Sequence, residues 1–153
     1  MILTIEELVK RIPKLPRPIV ATSGGFDPLH VGHLRCILES KKLGSTLIVI
    51  VNGDGFLMRK KGYKFMSVQD RMEIINSIQG VDYVVSFDDG SQFVSSALEQ
   101  IKPDIFAKGG DRAKPKDIPE WDTCQKVNCQ VVFEVGGDKI RSSSDLVKNS
   151  QKK

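Results

Sequence analysis

The sequence predicts an α/β protein built on a doubly wound, five-stranded parallel sheet, and three observations carry that expectation. Short apolar runs alternate with amphipathic segments through most of the 153 residues, the pattern of strand, helix and strand joined by right-handed crossovers. One of these runs, Thr46-Leu47-Ile48-Val49-Ile50-Val51, is almost wholly apolar, as a strand covered on both faces must be. A glycine pair, Gly24-Gly25, follows directly on the first run, where a tight turn at a strand's carboxyl end opens a ligand crevice.

Thr4 and Glu7, with Ile5, Leu8 and Val9 behind them, form a capping box that opens a short helix, and Pro13 ends it. Pro13, Pro16 and Pro18 then give an extended lead-in to strand one, Ile19 to Thr22. A helix from about His30 to Leu43 follows, with Val31, Leu34 and Leu38 on one face and Gly44 as its stop. Strand two is 46–51. The segment Asn52 to Met66, rich in Gly and Lys, reads as a loop that ends at a Ser67 cap before Met72, Ile75 and Ile78. Tyr83 to Ser86 is strand three, Gln92 to Ile101 a helix, Ile105 to Ala107 strand four, about Pro119 to Val127 a helix, and Gln130 to Val135 strand five. A last helix starts within Ser142 to Asp145, and Val147 to Lys153 reads as a frayed basic tail.

A single domain, 1–153, is expected, with a core at about 19–148, a helix and lead-in at 1–18 and the tail at 149–153. The expected strand order is 3-2-1-4-5, so strands one and four flank the point of reversal where such sheets bind ligands. The loop after strand four, Lys108-Gly109-Gly110-Asp111-Arg112, is glycine-rich and charged like the loop after strand one.

Hydrophobic content of 40% with 27% charged residues suits a soluble globular chain. No apolar run approaches the ~20 residues that cross a bilayer, and the acidic start Met1-Ile2-Leu3-Thr4-Ile5-Glu6-Glu7 is unlike a signal peptide. A cytoplasmic protein without a membrane partner is expected. Cys36, Cys124 and Cys129 are an odd number without a Cys-x-x-Cys pair, so they read as reduced packing residues, and no metal site is expected. The net charge of +4 fits a small phosphorylated substrate as well as nucleic acid, but its lysines are dispersed, with only one Trp and two Tyr to stack bases, and that dispersal argues against a nucleic-acid partner.

Chemistry concentrates in Gly24-Gly25-Phe26-Asp27-Pro28-Leu29-His30-Val31-Gly32-His33, which holds the only two histidines. A helix beginning near His30 puts His30 and His33 on one face of its first turn, beside that turn's free N–H groups and positive dipole end. At the far end of the chain, Arg141-Ser142-Ser143-Ser144 offers hydroxyls and helix N–H groups at one turn, a second anion site. Asn52-Gly53-Asp54 ends strand two, and Arg59, Lys60 and Lys61 follow it.

These residues resemble a known family. Gly-Gly-Phe-Asp-Pro-Leu-His-Val-Gly-His-Leu at 24–34 is similar to the first motif of the small, cytidylyltransferase-like nucleotidyltransferases, whose His-x-Gly-His is related to that of class I aminoacyl-tRNA synthetases. The spacing of Asp54, Lys60 and Arg71 resembles that of glycerol-3-phosphate cytidylyltransferases, and Lys108-Gly109-Gly110-Asp111 resembles the heptose-phosphate adenylyltransferase domain of ADP-heptose synthase. The serine cluster resembles the family's closing motif, but Gly137 stands where the cytidylyltransferase arginine would be, and Arg141 sits beside the serines instead.

The resemblance implies a Rossmann-like fold of the HIGH nucleotidyltransferase type and in-line transfer of CMP or AMP from CTP or ATP to a phosphorylated or phosphonate acceptor. Pyrophosphate is released, and cytidylyl transfer is slightly preferred. His30, His33 and Lys60 are the expected catalytic residues, acting by charge stabilisation. Gly24, Gly25, Phe26, Asp27, Lys108, Gly109, Gly110, Asp111, Arg141, Ser142, Ser143 and Ser144 would bind the nucleotide. Asn52, Asp54, Lys61 and Arg71 would face the acceptor, in a pocket built from 60–66 and the loop after strand three. Mg²⁺ would ride on the triphosphate, and a homodimer is expected. A heptose-phosphate-type adenylyltransferase is the alternative, and a non-catalytic nucleotide-binding module is the alternative of another class.

Overall fold

The strands β1 (Ile19–Gly24), β2 (Thr46–Asn52), β3 (Tyr83–Phe87), β4 (Ile105–Ala107) and β5 (Gln130–Val132) form one all-parallel sheet in the order β3-β2-β1-β4-β5. The computed structural model describes residues 1–110, 114–137 and 142–151. The strand order is the expected one, and β2 is buried along its whole length. Ile48 and Ile50 face one core layer while Leu47, Val49 and Val51 face the other, so the continuous apolar run follows from having helices on both sides.

The first layer carries α1 (Ile5–Arg11), α5 (Ser95–Ile101) and α6 (Trp121–Lys126). The second carries α2 (Val31–Lys41) and α4 (Val68–Asn76), which insert Ile37 and Ile75. The Thr4 and Glu7 capping box opens α1 as expected, and Pro13 sits in a 3₁₀ turn, Ile12–Lys14, rather than in extended chain. Cys124 and Cys129 are buried in the first layer.

Further expectations are corrected. The segment 52–66 is not all loop, because α3 (Asp54–Lys61) occupies its first half. Its glycines and lysines are helix punctuation: Asp54 lies in the first turn, Arg59, Lys60 and Lys61 in the last, and Gly62 closes it at φ 81. The apolar stripe of α2 is the second correction, since Val31, Leu34 and Leu38 are exposed and Ile37 is the buried residue. The third concerns α5, which starts three residues late because Asp89 and Ser91 side chains bond the amides of Ser91 and Phe93, a local alternative to helix. Finally, β5 stops at Val132, and Glu134 at φ 56 bends the chain away before the Val135 amide donates to the Lys108 carbonyl.

The last helix, α7 (Ser143–Ser150), runs through Val147 and Lys148, where fraying was expected. Lys152 and Lys153 of the basic tail lie outside the described residues.

Candidate active site

The ladder between β1 and β4 joins only Val20 to Ile105 and Ala21 to Phe106. Past it, the Thr22 hydroxyl donates to the Ala107 carbonyl at 2.9 Å, and the two strands part around a cavity of about 360 Å³. This is the reversal point of the sheet, where the strand order places a crevice.

The chain leaves β1 through Gly24 and Gly25. A Cβ on Gly24 would stand 2.9 Å from the Phe26 ring, and one on Gly25 would stand 2.8 Å from Leu57, so a side chain at either position would displace its neighbour. Phe26 takes φ 53, a left-handed conformation that costs a non-glycine residue roughly 1–2 kcal/mol. Its ring folds back over Gly24 and meets His33 edge-on, with centroids 5.1 Å apart.

His30 is the N-cap of α2, and its Nδ1 accepts from the amides of Gly32 at 3.1 Å and His33 at 3.4 Å. His33 returns the bond, its Nδ1 accepting from the His30 amide at 3.3 Å. The rings stack with centroids 3.7 Å apart and planes 20° from parallel. A neutral imidazole that accepts at Nδ1 carries its hydrogen on Nε2. Burial pushes the His33 imidazole down to about 3, with the charges of His30 and Lys61 adding to the shift. At neutral pH His33 is therefore an uncharged Nε2–H donor.

From α3, Lys60 and Lys61 both line the cavity. Lys60 is exposed, its Nζ 5.7 Å from the Phe56 ring centroid. Lys61 is half-buried, and burial first, then the charge of Lys60, lowers its ammonium pKa. Gly24, Gly25, Phe26, His30, His33, Asn52, Lys108, Gly109, Gly110, Ser142, Ser143 and Ser144 complete the sequence-expected residues that the cavity gathers.

The three serines divide their work. Ser142 caps α7, accepting from the Asp145 amide at 3.4 Å. Ser143 is buried and donates to the Pro28 carbonyl at 2.9 Å, tying α7 to the histidine turn, while Ser144 is exposed at the rim.

Three expected site residues stand apart from the cavity as architecture. Asp27 is buried and accepts from the amides of Phe65 at 2.7 Å and Met66 at 2.9 Å. Arg71 is fully buried; its guanidinium donates to the carbonyls of Met66, Gly25 and Asn52 and, at 2.7 Å, to Asp54. Burial opposes ionisation of Asp54, yet hydrogen bonds from Lys64 and Arg71 hold its carboxyl below the usual range. Asp111 and Arg141 lie outside the described residues.

Glu120 also lines the cavity and was not anticipated. It is buried at the start of α6, with Oε1 accepting from the Val94 amide at 3.2 Å. Among the described residues, Glu120 Oε2 and Asn52 Oδ1 are the buried side-chain atoms without a hydrogen-bond partner. A carboxylate at a helix start ordinarily reads as a solvated cap, so the sequence offers little to single it out.

Imidazole N–H groups, an ammonium, glycine amides and hydroxyls thus converge from α2, α3 and α7, a donor set fixed in advance and suited to a polyanion.

The family model described as "Cytidylyltransferase-like" matches residues 21–149. The chain is 38% identical over 125 residues to the "Bifunctional protein HldE" of a Nitratiruptor species, covering 80% of this chain and 26% of that protein. It is 34% identical over 150 residues to the HldE of Wolinella succinogenes, covering 97% of this chain and 30% of that protein. The chain therefore spans less than a third of the length of these relatives. A solved lipopolysaccharide core biosynthesis protein from Thermoplasma volcanium superposes with a TM-score of 0.62 at 29% identity, covering 75% of this chain and 93% of that one. The pantoate-beta-alanine ligase of Francisella tularensis shares the fold, with a TM-score of 0.67 at 14% identity over 96% of this chain and 72% of its own.

Proposed function

The chain belongs to the cytidylyltransferase-like family and is a nucleotidyltransferase, and from that premise we propose that it transfers AMP from ATP to a sugar phosphate of the heptose-phosphate type, releasing pyrophosphate. The observation that carries the reading is the stacked His30 and His33 pair, held as Nε2–H donors at the head of α2 beside Lys61. The nucleophile is already an anion, so positioning and charge stabilisation do most of the catalysis.

In this mechanism His30 and His33 donate to the phosphates as charge moves toward the leaving pyrophosphate. Lys61, half-buried and with its charge felt at His33, neutralises the α-phosphate, with the exposed Lys60 beside it in the cavity lining. Ser144 and the first amides of α7 hold the β- and γ-phosphates. Among the described residues no three metal-ligating side chains gather to hold an ion. Mg²⁺ would ride on the triphosphate and screen its charge.

The HldE relatives and the Lys108-Gly109-Gly110 loop support AMP over CMP. The spacing that favoured CMP rested on Asp54, Lys60 and Arg71, and the ion pair between Asp54 and Arg71 gives two of the three a role within the fold. The protein is proposed to act in the cytoplasm; among the described residues no helix is long and apolar enough to cross a membrane. A homodimer is proposed too, covering the exposed Val31, Leu34 and Leu38 of α2, and light scattering on a Leu34→Glu variant tests it.

The deciding experiment is pyrophosphate release with each of four nucleoside triphosphates against sugar 1-phosphates, glycerol 3-phosphate and a phosphonate. ATP with a sugar phosphate should turn over fastest. Preference for CTP would return the reading to cytidylyl transfer, and tight binding without release would make the chain a nucleotide-binding module.

A further inference from the structure

We propose that Glu120 and Asn52 form the acceptor subsite and read hydroxyl groups of a polyhydroxylated phosphate. The inference rests on the transferase reading and adds the part of the substrate remote from phosphorus.

Both side chains are more than nine-tenths buried, with relative exposures of 5% for Glu120 and 7% for Asn52. Each carries one oxygen without a partner among the described residues, and both line the same cavity. Buried polar atoms are nearly always hydrogen-bonded, so two orphaned acceptors in one cavity call for a donor that the protein does not supply. Glu120 is not free to turn aside, because the Val94 amide holds its other oxygen at 3.2 Å.

Placement around the sheet separates these acceptors from the anion site. The histidine pair and the serines stand at the heads of α2 and α7, on the second layer's side of the sheet. Glu120 stands at the head of α6, against the start of α5, on the first layer's side. Asn52 ends β2. A carboxylate repels a triphosphate tail, whereas uncharged donors satisfy it. The nucleoside has room elsewhere, since among the described residues a Cβ on Gly109 would find only Cys36 Sγ, at 4.0 Å, toward α2. Hydroxyls of the acceptor are the donors that fit both orphaned oxygens.

The test compares two probes of like charge, glucose 1-phosphate and methyl phosphate, by calorimetric titration of the whole chain. Wild type should bind the sugar phosphate at least about tenfold more tightly, since hydrogen bonds to charged groups are the strong ones. Glu120→Gln keeps an oxygen for Val94 and places an amide N–H₂ where Oε2 was. It should shrink that preference to about threefold or less, with an unchanged melting temperature and unchanged affinity for the non-hydrolysable analogues of ATP and CTP. Asn52→Ala should shrink the preference similarly. Equal binding of the two probes by wild type, a preference that survives in Glu120→Gln, or a loss confined to the triphosphates would each overturn the proposal. Absence of pyrophosphate release with every acceptor would defeat the transferase reading and leave this binding comparison standing.

Discussion

The Nδ1 of His33 accepts from the His30 amide at 3.3 Å while the Nδ1 of His30 accepts from the His33 amide at 3.4 Å. One reciprocal cap thereby starts α2, sets both tautomers and aligns two N–H donors. The first turn of the helix and the chemistry are the same hydrogen bonds.

His33→Ala should lower turnover ~10²-fold or more, the loss seen when one preorganised donor to a developing charge is removed. Steady-state pyrophosphate release measures it. A variant with wild-type turnover would remove His33 from the mechanism.

Stability should fall as pH drops below 6.5. The unfolded chain takes up a proton at His33 near the ordinary value of 6.5, while burial keeps the folded imidazole neutral down to about 3. Between those values the unfolded state binds the extra proton, so acid favours unfolding. Melting temperatures of wild type and His33→Gln, compared from pH 7.5 to 5, should converge as pH falls, with wild type the steeper.

Gly24→Ala should cut turnover by roughly tenfold to a hundredfold, the order expected when reacting groups move by about 1 Å. The new methyl would stand 2.9 Å from the Phe26 ring, which in turn lies against His33. Kinetics together with the His33 ring NMR shifts check this, and an unmoved shift would break the chain of contacts.

Arg71→Ala should destabilise the fold by roughly 3 kcal/mol or more, because removing a fully buried guanidinium strips the donors from buried carbonyls, at about 1–3 kcal/mol for each group left unsatisfied. Here the partners are Asp54 and three backbone carbonyls from separate segments. Urea denaturation is the measurement. Loss of acceptor affinity at unchanged stability would instead restore Arg71 to the substrate site.

Ser143→Ala should destabilise by about 1 kcal/mol, the worth of one intramolecular hydrogen bond, whereas Ser144→Ala should raise the KM for triphosphate without moving the melting temperature. The Ser143 hydroxyl is engaged by the Pro28 carbonyl, and Ser144 is exposed at the cavity rim.

Strand order and the histidine turn were legible because each rests on a local signal, a buried apolar run or a glycine pair before a cap. The helix α3 was obscured because its two buried apolar residues, Phe56 and Leu57, are outnumbered by glycine and lysine. The outward face of α2 shows that a helical stripe gives periodicity but not direction: Ile37 is buried and Leu34 is not. Asp54 and Arg71 matched a functional spacing and Asp27 a functional motif, and all three make hydrogen bonds within the fold, since an internal ion pair and a ligand contact call for the same residue types. Glu120 escaped notice because its burial depends on Val94, 26 positions away.

Asp27 grips the loop after α3 through the amides of Phe65 and Met66, by backbone alone. Lys64 adds one side-chain tie, to Asp54 at 3.1 Å, but the two aromatic rings carry none of that anchorage: Phe65 is 59% exposed, and Tyr63 meets it ring to ring, at 5.8 Å. The exit of this loop is therefore fixed whatever residues it displays. Tyr63 and Phe65 can vary while the turn that carries the histidine pair stays in register.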